Sequence, residues 1–334
     1  MIAFMRTVTM AIVLWLAQQF GESITVSRAL VDVRVTNDRG EPVTGLMPDD
    51  FIVKMGRADV RVESATFVEE AAFAPLSPDE PASTERSSQG RLFIVFVQTD
   101  FARNSSRVTG QMHFHGYAEK FIETLQSEDR VAVFSFDSHL KFRLDFTSDK
   151  EIVAETIRKS MLIDEPPPPP IVPSPSLASR LDRAAMKRVT SSEAALLLVG
   201  NALMPIDGPK NLLLLGWGLG ERRGNVVAMR REWTAARRAL DHARVTLFAL
   251  DTSFADYHDL EFGLQTAAKE TGGFYAKTHV FPEIAIERLE RTLRGRYELE
   301  LRLPDGTKPG QHDFSIRVKR RGSTVLAPSS VFVK

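Results

Sequence analysis

The sequence predicts an α/β protein in which a doubly wound, mostly parallel sheet is flanked by a small all-β unit. Near-continuous apolar runs such as LFIVFV at 92–97 are typical of strands buried on both faces, as in a parallel sheet covered by helices. Segments with helical spacing alternate with these runs from residue 91 onward. Strictly alternating segments at both ends of the chain favour a separate, half-buried β unit.

Composition excludes several classes of protein. The chain has 334 residues, with 43 Lys and Arg against 43 Asp and Glu, and no cysteine. Zero net charge argues against a nucleic-acid-binding protein whose affinity comes from phosphate neutralisation, so we expect no nucleic-acid partner. Without cysteine there are no disulfides, no thiolate metal sites and no thiol catalysis. The length suggests about two domains of ordinary size.

The first segment, residues 1–22, is predicted to be a signal peptide. One basic residue, Arg6, precedes the apolar run TVTMAIVLWLA at 7–17, which is too short to span a bilayer comfortably. An uncleaved anchor is the main alternative, and the cleavage point stays open because no clean A-x-A triplet precedes Glu22. We therefore expect an exported protein, periplasmic or extracellular, with no membrane span after cleavage.

A small β unit is predicted over residues 24–70. Its strands are expected at 29–36, 51–55 and 60–68, and the turn residues Asn37, Asp38, Arg39 and Gly40 close the first of them. Residues 71–90 are rich in Pro, Ser and Glu and have no apolar periodicity, so we interpret them as a linker.

An α/β domain is predicted over residues 91–281. Its strands are expected at 92–97, 131–136, 141–145, 212–215 and 245–250. Helices are expected between them at 110–125, 150–161, 177–203, 225–243 and 259–271. A hairpin around 137–139 would add one antiparallel edge strand. A Pro-rich loop at 164–176 is expected to be a stiff surface spacer, with a ligand for an aromatic-grooved partner as the alternative.

The C-terminal part, residues 282–334, is predicted to hold one helix followed by strands. The helix is expected at 282–293 and the strands at 297–303, 311–319 and 324–333, joined by turns at Asp305-Gly306 and Arg321-Gly322. Because three strands alone bury little apolar surface, we expect them to pair with the N-terminal β unit.

Order and spacing of these segments resemble the von Willebrand factor type A (VWFA) fold. The stretch VDVRVTNDRGEPVTGLMPDDFIV at 31–53 resembles the β preface of VWFA-related proteins that are abundant among acidobacterial secreted proteins. Residues 129–136 (DRVAVFSF), 145–149 (DFTSD) and 267–275 (AAKETGGFY) resemble later parts of the same family. The resemblance covers nearly the whole mature chain and implies a doubly wound, Rossmann-like domain that binds other proteins.

Members of that family commonly bind a divalent cation through D-x-S-x-S after the first strand, a middle-loop Thr and an Asp after the fourth strand. Here Gln98, Asp100 and Ala102 stand at the three D-x-S-x-S positions. A frame shifted by two residues puts Asp100 at the Asp position but Ala102 and Asn104 at the two Ser positions, so neither frame makes the motif. After the LLLL run at 212–215 the chain has Gly216, Trp217 and Gly218, which offer no oxygen side chain. The resemblance therefore implies a degenerate metal-ion-dependent adhesion site, and we predict neither a bound metal nor another cofactor.

Other candidates for chemistry are weak. Asp251-Thr252-Ser253 resembles a displaced D-x-S, but it follows the fifth strand and is better explained as a strand-end turn. No G-x-S-x-G elbow, phosphate-binding loop, dinucleotide fingerprint or H-E-x-x-H is present. Each of His242, His258 and His312 has an Asp adjacent in sequence, which is little evidence because neighbouring side chains diverge.

The sequence thus predicts an exported, non-enzymatic protein that acts through contact with an unidentified protein partner. Loops at the carboxyl ends of the strands are the expected contact surface. The residues expected there are Asp100, Asn104, Ser105, Trp217, Asp251 and Ser253. Two alternatives stay open: a metal-dependent binding module with a non-standard site, and an exported hydrolase that uses Asp100 and Asp251.

Overall fold

The computed structural model describes residues 28–70, 85–86, 90–99, 105–160, 166–170, 172–173, 175–279 and 281–333. The predicted signal peptide, most of the predicted linker, Asp100 and Asn104 lie outside the described residues. Within them, no helix is both long enough and apolar enough to cross a membrane.

The described chain contains strands and helices in alternation through its middle part and strands at both ends. The strands are β1 (Arg28–Thr36), β2 (Phe51–Met55), β3 (Ala58–Glu69), β4 (Glu85–Arg86), β5 (Leu92–Gln98), β6 (Arg130–Phe136), β7 (Leu140–Thr147), β8 (Lys210–Gly216), β9 (Glu221–Arg223), β10 (Val226–Ala228), β11 (Val245–Asp251), β12 (Tyr275–Lys277), β13 (Gly295–Arg302), β14 (Gly310–Val318), β15 (Thr324–Leu326) and β16 (Ser330–Val333). The helices are α1 (Ser105–Thr124), α2 (Lys150–Lys159), α3 (Arg183–Arg188), α4 (Ser192–Leu203), α5 (Glu232–His242), α6 (Glu261–Glu270) and α7 (Pro282–Thr292). A mixed α/β fold is confirmed.

A six-stranded mixed sheet forms the centre of the middle part. Its strand order is β12-β11-β8-β5-β6-β7, which reads 6-5-4-1-2-3 when the strands are counted within the sheet. Neighbouring strands pair in parallel from β12 through to β6. The last strand, β7, pairs antiparallel with β6, as predicted for a hairpin around 137–139.

Helices cover both faces of this sheet because its strands are apolar at successive positions. Ile94, Phe96 and Leu214 belong to a core shared with α4, α5 and α6. Phe93, Val95 and Leu215 belong to a second core shared with α1, α2 and α7. Since successive strand side chains point to opposite faces, the continuous apolar runs seen in the sequence fill both cores.

An eight-stranded, mostly antiparallel sheet joins the two ends of the chain. Its order is β15-β1-β13-β3-β2-β14-β16, and β4 pairs in parallel with β3. Val33, Phe51, Tyr297 and Leu299 share its core, and the Tyr297 hydroxyl donates to the carbonyl of Val43 at 2.9 Å. The predicted pairing between N-terminal and C-terminal strands is therefore observed, for example between β1 and β13.

Some predicted elements were wrong in their bounds. The helix expected at 177–203 is two helices, because Ser191 caps a new helix by accepting from the backbone N–H of Ala194. The helix expected at 225–243 begins only at Glu232, because Gly224 takes a positive φ of 63° and turns the chain into the β9–β10 hairpin. The strand expected at 324–333 is interrupted between β15 and β16, near Pro328.

The helix α7 packs on the six-stranded sheet. Its Ala285, Ile286 and Leu289 are buried in the same core as Phe93 and Phe248. The predicted boundary between residues 281 and 282 therefore separates this helix from the sheet against which it packs.

Candidate functional site

The carboxyl ends of β5, β8 and β11 meet at one edge of the six-stranded sheet, which we call the strand-end edge and define by Gln98, Gly216 and Asp251. The chain leaves the central strands β5 and β8 in opposite directions along the sheet, since β5 leads to β6 on one side and β8 leads to β11 on the other. In open α/β sheets this reversal of strand order opens a crevice in which ligands commonly bind.

Gln98 fills that crevice. Its Nε2 donates to the hydroxyl of Ser192 at 2.8 Å and to the carbonyl of Gly218 at 2.7 Å. Its Oε1 accepts from the backbone N–H of Trp217 at 2.8 Å and of Gly218 at 3.1 Å. Both amide hydrogens and both lone pairs of the carboxamide are thus used within the chain. The side chain is buried and ties β5 to the loop after β8 and to the start of α4.

The glycines after β8 are explained by packing. A Cβ on Gly216 would lie 2.2 Å from Gln98 Oε1, and a Cβ on Gly218 would lie 2.5 Å from the Cβ of Leu260. The glycines at 216 and 218 therefore let Gln98 and Leu260 approach the backbone closely. This packing explains the glycine-rich segment 216–220 without a role in holding phosphate. Trp217, between them, is half-buried.

A buried glutamate stands beside this closed crevice. Glu193, in the first turn of α4, accepts a hydrogen bond from the backbone N–H of Gly220. Its carboxylate lies 3.9 Å from the guanidinium of Arg230. Burial raises the pKa of Glu193 above its usual range, and the hydrogen bond from Gly220 offsets this only in part.

Asp251, the last residue of β11, is buried, and its carboxylate makes four described hydrogen bonds to three residues. Its Oδ1 accepts from the backbone N–H of Ser253 at 3.0 Å and from the Ser253 hydroxyl at 2.7 Å. Its Oδ2 lies 2.8 Å from His258 Nε2 and accepts from the Tyr275 hydroxyl at 2.8 Å. The expectation of a strand-end turn at Asp251-Thr252-Ser253 agrees with these contacts.

A second carboxylate, Glu261 at the start of α6, extends this group. Its Oε2 lies 3.4 Å from the Tyr275 hydroxyl and 2.8 Å from Lys277 Nζ. The Lys277 ammonium also donates to the backbone carbonyl of Asp256. Burial and then the charge of Asp251 raise the pKa of Tyr275 above its usual range, so this phenol stays a hydrogen-bond donor.

Ligand atoms of Asp251, His258 and Glu261 lie within 4.8 Å of one another. Two carboxylates and an imidazole are a donor set that first-row divalent metals accept. In the described arrangement the same atoms are engaged by Tyr275 and Lys277, and the Lys277 ammonium already supplies positive charge to Glu261. A metal ion would have to compete with that ammonium.

The structure places the predicted contact residues differently. Ser105 is the first residue of α1, and its side chain lies outside the described part. Asp251 and Ser253 are buried and bonded to each other, so they do not form a contact surface. Trp217 is half-buried at the edge, as its position after β8 predicts. Tyr275, Lys277 and Glu261 were not among the residues predicted from the sequence, and the partner of His258 is Asp251, not the Asp259 that follows it in the chain.

Exposed aromatic side chains lie instead in the segments that follow β11 and β12 in the chain. Phe254 is 46% exposed, Tyr257 70%, Phe262 49% and Phe281 58%. We call these four residues the aromatic patch. They include every large aromatic side chain that is exposed among the described residues. The Phe254 ring packs edge-on against His279, with centroids 5.2 Å apart, and lies 6.2 Å from the His113 ring, so it neighbours both helix α1 and the segment after β12.

The fold defines a mixed α/β protein in which Gln98 fills the crevice at the strand-end edge of the central sheet. No protein-family model matches the chain, and no curated protein matches it.

The chain matches several solved structures at low identity. One is a von Willebrand factor type A protein from Catenulispora acidiphila, with 8% identity and a TM-score of 0.44 over 92% of this chain and 74% of that one. Another is an aerotolerance-related membrane protein from Bacteroides fragilis with multiple mutations to serine, with 14% identity and a TM-score of 0.41 over 61% of this chain and 98% of that one. BatB from Bacteroides thetaiotaomicron has 14% identity and a TM-score of 0.40 over the same shares.

Proposed function

We propose that the chain is an exported, non-enzymatic VWFA-related protein that binds another protein through its strand-end edge. The aromatic patch carries this proposal, because four aromatic side chains lie exposed within residues 254–281, next to the end of β11. Aromatic residues are enriched at protein-binding hot spots, and contiguous exposed apolar surface commonly marks an interaction site. The contact surface proposed is therefore the aromatic patch, in place of the buried Asp251 and Ser253.

The doubly wound VWFA-type architecture is part of the proposal. The order 6-5-4-1-2-3 of the central sheet, with helices on both faces, supports it. The sequence resemblance to acidobacterial secreted VWFA-related proteins and the apolar segment at 7–17 support export to the periplasm or the cell exterior.

Loss of the adhesion-type metal site is also part of the proposal. Gln98 stands where the resemblance places the first metal-binding Asp, and its carboxamide is saturated by Ser192, Trp217 and Gly218. A hard cation such as Mg²⁺ needs several oxygen ligands together with water. Neither Trp217 nor Gly218 offers a side-chain oxygen at the end of β8.

Thermal unfolding in EDTA and in excess Mg²⁺ tests this part. A ligand that binds only the folded state raises its stability, so we expect the same midpoint in both solutions. A rise of several degrees in Mg²⁺ that a Gln98→Ala variant loses would show that a cation binds at the crevice and would contradict the proposal.

A metal-dependent module with a non-standard site is the second candidate. It is favoured by the spacing of Asp251, His258 and Glu261, whose ligand atoms lie within 4.8 Å. Titration with Zn²⁺ or Mn²⁺, followed by unfolding midpoint, separates it from the first candidate. Stabilisation that a His258→Ala variant loses, and a Gln98→Ala variant keeps, would favour the second candidate.

The hydrolase alternative has less support among the described residues. Ser253, the hydroxyl nearest to Asp251, donates to Oδ1, whereas His258 lies at Oδ2, so the histidine is not placed to activate that hydroxyl. Asp100 lies outside the described part. We therefore keep a non-enzymatic role as the proposal.

A further inference from the structure

Three arginines stand side by side on neighbouring strands of the eight-stranded sheet. Arg28 of β1 is paired directly with Arg302 of β13, and Arg302 is paired on its other side with Arg61 of β3. Directly opposite side chains in an antiparallel sheet lie on the same face, and like charges at such positions oppose folding. The sheet therefore carries an unfavourable row of like charges at this place.

A fourth arginine extends this row. Val53 and Val60 are paired and buried, so the next residues, Ile52 of β2 and Arg61 of β3, are neighbours on the opposite face. Ile52 is paired in turn with Arg317 of β14. We call the four residues that share this face the arginine row, which consists of Arg28, Arg302, Arg61 and Arg317.

Ion pairs within the chain leave most of the row without a counter-ion. Arg28 is paired, with Glu63 at 3.2 Å and with Glu300 at 2.8 Å. The other three members make no ion pair with any described residue, and Arg61 and Arg317 are exposed. Their charge is therefore open to an anion from outside the chain.

Unpaired positive charge also exceeds unpaired negative charge around the row. Three of the nearby acids are engaged by arginines from elsewhere in the chain, since Asp32 and Glu298 bind Arg244 and Asp313 lies 3.6 Å from Arg237. Within four residues of the row or of Ile52, the described side chains without an ion-pair partner are the basic Arg57, Arg61, Arg302, Arg317, Lys319, Arg320 and Arg321 and the acidic Asp49, Asp50 and Asp305.

Exposed aliphatic side chains accompany these cations. Ile52, between Arg61 and Arg317, is 39% exposed, and Leu30, two residues after Arg28 on the same face, is 42% exposed. Cations beside apolar side chains suit the interface of a bilayer, where the charge meets the headgroups and the apolar group meets the acyl boundary.

The row lies where the N-terminal segment joins the sheet. Ten residues, 18–27, separate Arg28 from the apolar run at 7–17. A stretch of that length reaches at most about 36 Å. An uncleaved anchor, the alternative that the sequence leaves open, would therefore hold the row close to lipid headgroups, and basic residues so placed are attracted to anionic lipids.

We propose that the arginine row binds the surface of a membrane that contains anionic phospholipids. This inference goes beyond the proposed protein contact and does not depend on it. The eight-stranded sheet contacts the amino ends of β8 and β11, through Asn211 and Arg244, whereas the strand-end edge lies at their carboxyl ends. A membrane at the row thus leaves the strand-end edge free for a protein partner.

Vesicle sedimentation tests this proposal with the chain from residue 23 onward, the predicted mature form. One set of vesicles contains only phosphatidylcholine, and the other contains phosphatidylcholine and phosphatidylglycerol in equal amounts. Because each Lys or Arg near an anionic surface contributes a factor of about five, we expect at least about tenfold tighter binding to the second set. The difference should shrink as salt rises, since exposed charges are screened.

Matched variants locate the binding. Arg61→Gln combined with Arg302→Gln should weaken binding to the anionic vesicles at least about tenfold, and Arg317→Gln alone about fivefold. Arg158→Gln combined with Arg231→Gln removes the same charge from α2 and from the residue before α5, where the side chains are 58% and 91% exposed. This control should leave binding unchanged within a factor of about two.

Urea unfolding separates lost binding from a lost fold. Since Arg61 and Arg302 are like charges directly opposite each other, their double variant should unfold at the urea midpoint of the parent or above it. Weaker vesicle binding without lower stability would show that the row acts at the membrane surface and does not hold the sheet together.

Three outcomes would overturn the proposal. The first is equal binding to both sets of vesicles, or anionic binding that the double variant at 61 and 302 keeps. The second is a polyglutamate peptide that binds the parent when the anionic vesicles do not, which would favour an acidic protein as the occupant. The third is self-association without vesicles that the double variant abolishes, which would favour a second copy of the chain.

Discussion

Gln98 shows at the residue scale how one side chain can close a ligand crevice. A carboxylate at this position would present oxygens to a cation, whereas the carboxamide satisfies two donors and two acceptors of its own chain. Because the carboxamide both donates and accepts, it can join a hydroxyl, a carbonyl and two backbone N–H groups where an ionised acid cannot.

Gln98→Glu should therefore destabilise the fold by about 2 kcal/mol, since the new carboxylate faces the Gly218 carbonyl and cannot donate to it. Urea unfolding at neutral pH measures this loss. Gln265→Glu, on the exposed side of α6, should cost only a few tenths of a kcal/mol through repulsion with Glu261. An equal loss in both variants would show that the Gln98 hydrogen bonds contribute little.

Asp241 is a residue whose charge state should control stability. Its Oδ2 accepts from Gln311 Nε2 at 2.7 Å and from the Ser330 hydroxyl, which ties α5 to β14 and β16. Its Oδ1 is buried without a hydrogen-bond partner among the described residues. Burial raises the pKa of Asp241 to about 7, against the lowering effect of Ser330, Gln311 and the Arg237 charge, while Glu270 raises it further.

Stability contributed by the Asp241 carboxyl should be fully present below about pH 4 and be lost as pH rises to about 7, because the folded state keeps the proton longer than the unfolded chain does. Asp241→Asn should remove this slope and raise the free energy of unfolding at pH 8 by about 2–4 kcal/mol. Urea unfolding of both proteins at pH 5 and pH 8 measures it. A variant with the same slope as the parent would contradict this assignment.

At the scale of elements, a glycine in α6 allows this helix to pack closely against the loop after β8. A Cβ on Gly263, inside α6, would lie 2.1 Å from the backbone oxygen of Leu219, which has no freedom to move away. Gly116, inside α1, has nothing within 4 Å of the position of its Cβ. The two glycines thus occupy helices for different reasons, close packing in one case and no evident constraint in the other.

Gly263→Ala should destabilise the protein by about 2–3 kcal/mol, whereas Gly116→Ala should stabilise it by up to about 1 kcal/mol through helix propensity. Denaturant unfolding of both variants measures the opposite signs. If Gly263→Ala were also stabilising, the close approach of α6 to Leu219 would be wrong.

The residues against which the proline segment packs could not be predicted from the sequence. Pro166 to Pro169 lie beside Leu140 and Phe142 of the edge strand β7, around a cavity of about 90 Å³. Asp145 fixes the end of the loop by accepting from the Ser176 hydroxyl at 2.6 Å and the backbone N–H of Leu177 at 2.9 Å. The proline content of the segment predicts that it is stiff. Its packing against β7 depends on the Asp145 carboxylate and on the turn at Ser176 and Leu177, which no local sequence pattern identifies.

Elements with strong apolar periodicity could be predicted from the sequence, whereas elements set by tertiary contacts could not. The strands β5, β6, β8 and β11 follow from their apolar runs. The hairpin β9–β10 was missed because its charged residues, such as Arg222 and Arg223, also fit an exposed helix face. The cluster around Asp251 was missed because Tyr275 and Lys277 come from another strand, so only the pairing of β11 with β12 brings them together.

At the scale of the whole molecule, the polar contacts of two arginines join the eight-stranded sheet to the six-stranded sheet and its helices. Arg34 of β1 donates to Glu70 at 2.8 Å, to Asn211 of β8 at 3.1 Å and to the carbonyl of Thr292 at 3.2 Å. Arg244, with a positive φ of 53°, bonds to Asp32 and Glu298. Burial raises the pKa of Asp32, but the hydrogen bonds and charge of Arg244 outweigh it and leave that pKa below its usual range.

Arg34→Met should destabilise the protein by about 3–5 kcal/mol, because it leaves the buried Glu70 carboxylate with Arg296 alone. The double variant Arg34→Met with Glu70→Leu should recover much of that loss. A double-mutant cycle in urea measures the coupling. Additive losses in the two single variants would mean that the Arg34–Glu70 ion pair contributes little to stability.

Contact with another protein at the aromatic patch is the central claim. A photo-crosslinking amino acid placed at position 257, and for comparison at position 152, tests it in cells that produce and export the chain. We predict a defined covalent adduct with another protein from position 257 and none from position 152, because Tyr257 lies in the patch and Ile152 lies on α2. No adduct from position 257, or the same adducts from both positions, would contradict the claim.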